Sequence, residues 1–303
     1  MAARRTAACV VTVVAITSFQ LPVLSRQDAS AGEKRAGLIS ELSGVASVRK
    51  DPSAAASPVE RFAAIADGAV LELGRDSRAV VVLARGKRFE LGAQARVSVH
   101  PDRIDATSGP VRELPSLPAL PRLVALDAQA PKALGGVRLR STAVAGLTPS
   151  HGSALATRTT VRFTPVRGAG TYRVEVEDEQ GRVVFAVQTT SAEVPVPPDV
   201  LHPAAGYYWT VRTIDRAGPQ ARGAAEFTTL GEEEAKARED LRRRLHEEGG
   251  VSSLALLAAI DRQLGLYADA LDGFRAALAR APDDETLRDA VKELEAMREA
   301  GGR

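Results

Sequence analysis

The hydrophobic period of this chain changes once and for good at Leu230: everything folded before it alternates with a period near two, and everything after it repeats at helical spacing. A chain with that change cannot be one repeating architecture. It must place strand-built units first and a helix-built unit last. The alternating part is itself interrupted, because Pro110, Pro115, Pro118, Pro121 and Pro131 lie too close together for a helix or a central strand. Two β units, a Pro-rich segment between them and a helical C-terminal unit are therefore expected. The 303 residues are enough to bury a core in each.

Ahead of these blocks, Arg4 and Arg5 precede an uncharged run from Thr6 to Leu24, and Ala29-Ser30-Ala31 follows. Basic start, apolar stretch and small-x-small tripeptide describe an export signal over residues 1–31, cleaved before Gly32 or retained as a membrane anchor. The segment holds three of the 40 basic residues and one of the 38 acidic ones, so its removal leaves the two signs balanced. A balanced chain argues against nucleic acid as a partner. Cys9, the only cysteine, lies in this segment, so disulfides and thiolate metal sites are not expected beyond it.

From Gly37 to about residue 104, short apolar runs are broken by Gly and Asp, as in Ala69-Val70-Leu71 and Ala79 to Leu83. Gly44-Val45-Ala46-Ser47-Val48-Arg49, Asp67-Gly68, Gly74 to Ala79 and the hairpin Arg85-Gly86-Lys87 resemble the exported FecR-like domain of bacterial envelope proteins. Signalling members of that family carry a cytoplasmic anti-sigma segment, and only Met1 to Arg5 precede the apolar run here, so that mechanism is not carried over. Residues 105–147 are expected to be a Pro/Gly-rich linker or wrapping segment. Its regularly spaced Leu114, Leu117, Leu120, Leu123 and Leu126 suggest that it lies against a neighbouring unit.

Residues 148–230 show the clearest alternation: Tyr172, Val174 and Val176, then Val183 to Val187, then Leu201-x-Pro203-x-x-x-Tyr207-x-Trp209-x-Val211. That last spacing is similar to the fibronectin type III β-sandwich. The resemblance makes Tyr207 the corner residue, places Trp209 and Val211 in the core and turns Tyr208 outward. In residues 231–303, apolar positions mark four helices, with Gly249-Gly250 ending the first. Leu264-Gly265-Leu266-Tyr267, Ala270, Phe274, Ala277 and Pro282 resemble one tetratricopeptide repeat, in which small residues let paired helices approach. The fold class expected is thus multidomain and mainly β, with a C-terminal α-helical bundle.

Few residues in the sequence are placed for chemistry. His100, His151, His202 and His246 lie in four neighbourhoods, none with a second ligand at helix or hairpin spacing, and no phosphate loop or nucleophile elbow is present. No catalytic residue, cofactor or metal is assigned. Asp283-Asp284-Glu285 follows Pro282 and reads as a helix cap. Between Asp127 and Glu175 there is no acidic residue, whereas Arg138, Arg140, Arg158, Arg162 and Arg167 are present. These arginines are candidates for contact with an anionic envelope polymer or lipid surface, or else they face the acidic helical tail. Tyr267 and Phe274 are the candidate docking residues for a protein partner.

The function expected is a non-enzymatic, exported scaffold or adaptor of the cell envelope, periplasmic or anchored by an uncleaved N-terminal helix. The alternatives are a membrane-anchored FecR-like sensor and an accessory carbohydrate-binding protein.

Overall fold

The computed structural model describes residues 34–51, 53–119, 142–215 and 220–301. The first alternating block forms β1 (Arg35–Ser43), β2 (Ala46–Arg49), β3 (Ser57–Pro58), β4 (Ala64–Ala66), β5 (Val70–Leu73), β6 (Arg78–Leu83), β7 (Arg88–Leu91), β8 (Arg96–Val99), β9 (Ile104–Ser108) and β10 (Val111–Leu114). They build two five-stranded sheets in the orders β10-β7-β6-β1-β4 and β3-β2-β5-β8-β9. Ile39, Val81 and Leu91 from the first sheet meet Leu71 and Val97 from the second in one core. Period-two strands need such a partner layer to bury their apolar face.

The boundary expected at residue 104 is corrected, because β9 pairs with β8 and β10 with β7. The backbone of Leu117 then donates to the carbonyl of Gly86, whose φ of +87° is the left-handed region that favours glycine. Both added strands are largely exposed edge strands. Backbone hydrogen bonds hold them without an apolar alternation that a sequence would display.

The second block forms β11 (Thr142–Ala143), β12 (Ser153–Ala154), β13 (Thr160–Arg162), β14 (Tyr172–Asp178), β15 (Val183–Thr189), β16 (Glu193–Pro195), β17 (Gly206–Thr213) and β18 (Ala221–Thr229). One sheet runs β11-β18-β17-β14-β15, with β12 also on β18, and the pair β13-β16 covers it. Val161 and Val194 from the small sheet pack with Val174, Val176, Trp209 and Val211 from the large one, which makes a β-sandwich. The His202 N–H donates to the Tyr207 hydroxyl at 2.7 Å, the geometry of a tyrosine corner. The Trp209 indole N–H donates to the Pro149 carbonyl, so its wholly buried ring leaves no polar atom unpaired.

Four helices complete the molecule: α1 (Glu232–Glu248), α2 (Gly250–Gln263), α3 (Tyr267–Arg280) and α4 (Glu285–Gly301). The Glu234 carboxylate takes the Gly231 N–H at the start of α1, Gly249 at φ +68° ends it, and Asp284 accepts the Leu287 N–H at the start of α4. Gly273 lets α3 approach α2, since a Cβ there would lie 2.9 Å from that of Ala258. Ala255, Ala258, Ala270 and Ala277 are buried along the same hairpin.

These helices are not a separate bundle. Strands β1 and β6 bury both faces: Ile39 and Val81 point into their own core, while Leu38 and Val82 meet Leu245, Leu256 and Ile260. Leu155 and Leu230 of the sandwich join the same cluster. Arg88 of β7 binds Glu248 of α1 through two hydrogen bonds of 2.9 Å, a bidentate guanidinium–carboxylate pair. The helical layer is therefore a shared wall of both β units.

Candidate functional site

The two residues expected to dock a partner meet different fates. Phe274 has no exposed surface; its ring lies 5.3 Å from that of Phe62, which enters the helices from the first β unit. This corrects its assignment as a docking residue. Phe62 holds a φ of +69°, rare for a bulky side chain, and is 2% exposed. Arg61 lies over the Phe62 ring at 4.4 Å and bonds Asp284 at 2.7 Å, and Arg262 donates to the Phe62 carbonyl. The space among α2, α3 and α4 around Phe274 is thus filled by Phe62 of the first β unit. Tyr267 stays half-buried, with its ring 5.1 Å from that of His151 in the sandwich.

Two of the arginines in the acid-free stretch are paired with acids from elsewhere in the chain. Arg158 bonds Asp269 at 2.6 Å, and Arg162 bonds Glu193 and Asp272, each at 3.0 Å. Asp269 and Asp272 lie on α3, so the missing acids are supplied from more than a hundred residues away. For Arg158 and Arg162 this corrects a free anionic-surface contact to ion pairs with α3 that stay partly exposed. Arg167 is exposed and makes no ion pair among the described residues, and Arg138 and Arg140 lie outside them.

Where the sandwich meets α3 and α4, a cleft of about 430 Å³ stays open. Phe163, Leu271, Leu294 and Met297 give it an apolar floor, and Arg162, Arg275 and Arg298 bring positive charge to its walls. Arg275 is paired with Glu295 at 2.5 Å. Arg298 has no ion pair among the described residues, and its Nε is buried without a hydrogen-bond partner. His151 sits at the rim with its Nδ1 2.9 Å from the Ser150 hydroxyl. Burial lowers the pKa of that imidazole, with the Ser150 backbone opposing, so the ring is neutral at pH 7. No carboxylate among the described residues bonds it, and a serine nucleophile activated by histidine needs that orienting group.

Beside the cleft, Arg238 of α1 makes a bidentate pair with Asp261 of α2, Nε to Oδ1 at 2.9 Å and Nη2 to Oδ2 at 2.7 Å. The side chains are 3% and 2% exposed. Burial pushes the Asp261 carboxyl up to about 6, against the pull of Arg238. Asp269 is 3.5 Å from the same guanidinium and joins this pair to Arg158. In the first β unit, His100 bridges Asp67 and Asp105 through its two ring nitrogens, at 2.9 and 3.3 Å. Sequence spacing hides that bridge, since Asp67 arrives from another turn of the sheet. Among the described residues no group of three or more acidic, His or Cys side chains is arranged to hold a metal ion. No helix among them is long and apolar enough to cross a membrane, and Thr6 to Leu24 lies outside them.

No protein-family model matches the chain, and no curated protein matches it. Among solved structures it is similar to the crystal structure of FN3tt, at 21% identity and a TM-score of 0.23 over 28% of this chain and 91% of that one. It is similar to CopC from Methylosinus trichosporium OB3b at 18% identity and a TM-score of 0.24, over 30% and 95% of the two chains. The chicken CNTN1 FN1-FN3 domains match at 10% identity and a TM-score of 0.23, over 65% and 67%. The mainly β fold with four C-terminal helices rests on its own strand pairing and cores.

Proposed function

We propose that the protein is a non-enzymatic, exported scaffold or adaptor of the cell envelope that recognises a protein partner through the cleft between sandwich and helices. In this reading the first β unit is FecR-like, the second is fibronectin type III-like and the helical hairpin is tetratricopeptide-like. The observation that carries it is the filling of the hairpin by Phe62, which leaves the mixed apolar and charged cleft as the open recognition surface. Export is supported by the charged, apolar and small-residue pattern of residues 1–31.

The test is co-purification from the native envelope with the intact chain and with Ala268→Trp, which would fill the cleft from the first turn of α3. Loss of the partner at unchanged melting temperature is expected. Recovery of the same partner by the filled variant would remove the cleft from the mechanism. A mature N-terminus at Gly32, read by mass spectrometry, is the expected product of export.

A further inference from the structure

Among the charged side chains lining the cleft, the pairings form a closed account with one remainder. Arg162 is held by Glu193 and Asp272, and Arg275 by Glu295. Arg298 has no ion pair among the described residues and its Nε is buried without a hydrogen-bond partner; it lies on the same helix as Leu294 and Met297 of the apolar floor. A buried guanidinium nitrogen without an acceptor is costly, and a charge next to an apolar wall strengthens its attraction for a counter-ion. The site therefore fits one negative charge attached directly to an apolar group. A small hydrophilic anion would leave the floor wet, and a cation would meet no free carboxylate.

We propose that the cleft captures the C-terminal carboxylate of a polypeptide partner, with Arg298 as its counter-ion and the partner's last, apolar side chain on Leu271, Leu294 and Met297. A chain terminus places carboxylate and side chain on one residue, and Arg298 lies one helical turn from Leu294 of the apolar floor, on the same face of α4. The neutral His151 at the rim supplies a hydrogen-bonding group without adding charge. The volume of about 430 Å³ accommodates a few residues of chain. This rests on the adaptor reading above, which supplies the class of partner.

Fluorescence anisotropy with labelled hexapeptides ending in Leu, Val or Phe, each with a free or an amidated C-terminus, tests it on the mature chain. Binding of the free acids, at least tenfold weaker for the amides and for Arg298→Gln, is the expected result. The melting temperature of Arg298→Gln should match the parent, since the side chain makes no ion pair to lose. Equal binding of acid and amide, or an unaffected Arg298→Gln, would overturn the proposal. Binding of dodecanoate with no binding of any peptide would also overturn it, assigning the site to a free amphiphile. If no peptide binds while Ala268→Trp still loses its envelope partner, the ligand class fails and the adaptor reading stands. If the peptides bind while that variant keeps its partner, the adaptor reading fails and the carboxylate site stands.

Discussion

Arg238 and Asp261 show how unequal the two halves of a buried pair are. Each partner has given up water, and the bond between them returns only part of that loss. Arg238→Ala leaves a buried carboxylate alone and is expected to cost about 3–5 kcal/mol in urea unfolding. Arg238→Met with Asp261→Leu removes both charges and should recover most of that cost; a double variant as unstable as the single one would refute the account. The pair also sets a pH dependence. With its carboxyl raised from 3.8 to about 6, Asp261 holds a proton in the folded chain that the unfolded chain releases. Its contribution to stability therefore falls as pH rises between about 4 and 6 and is level above that window. The stability of the parent relative to Asp261→Asn should drop across the window. A difference that grows with pH would mean that Arg238 wins over burial.

Phe62 belongs to the same scale. A bulky residue at positive φ persists only where its surroundings over-determine it, and here the stack on Phe274, the Arg61 cation and Asp284 do so. Phe62→Ala is expected to cost about 3–5 kcal/mol, since it removes a buried ring while keeping the Cβ that makes positive φ unfavourable. Differential unfolding against the parent measures it, and a change under about 1 kcal/mol would show that the ring is not an anchor.

At the scale of elements, what could be read in advance depended on whether the cause was local. The four helices were legible from their apolar spacing and from Gly249, Pro282 and the acidic caps, because those signals act within a turn or two. The corner at Tyr207 was legible for the same reason, its hydroxyl being tied to a backbone N–H five residues away. Strands β9 and β10 were not, since edge pairing needs only a free backbone row on β8 and β7. One signal went unused. The unbroken apolar run from Ala79 to Leu83 exceeds what a one-sided strand requires and announces a second covering layer. That layer is α1 and α2, and naming the helices as its source takes the tertiary structure.

For the whole molecule, the shared wall makes the helical unit a structural necessity of both β units. A chain ending at Leu230 would expose Leu38, Val82, Ala84, Leu117 and Leu155 together. Such a chain is expected to bind an apolar dye and to aggregate on size-exclusion chromatography. A monomer that melts at the parent's temperature would show that the β units are self-sufficient. The same helices supply the acids missing around Arg158 and Arg162, through Asp269 and Asp272 of α3.

The amino-acid sequence by itself determined the order of a strand-built, a second strand-built and a helix-built block, the caps and turns within them and the core faces of the sandwich. Those follow from the period of side chains along a strand or a helix and from hydrogen bonds between near neighbours. Only the tertiary structure decided that Phe62 fills the helical hairpin, that Arg162 is held by Asp272, and that Arg298 has no ion pair among the described residues beside an open cleft. Each of these depends on which surfaces residues far apart in the chain bring together, and burial and charge pairing across such distances leave no trace in local spacing.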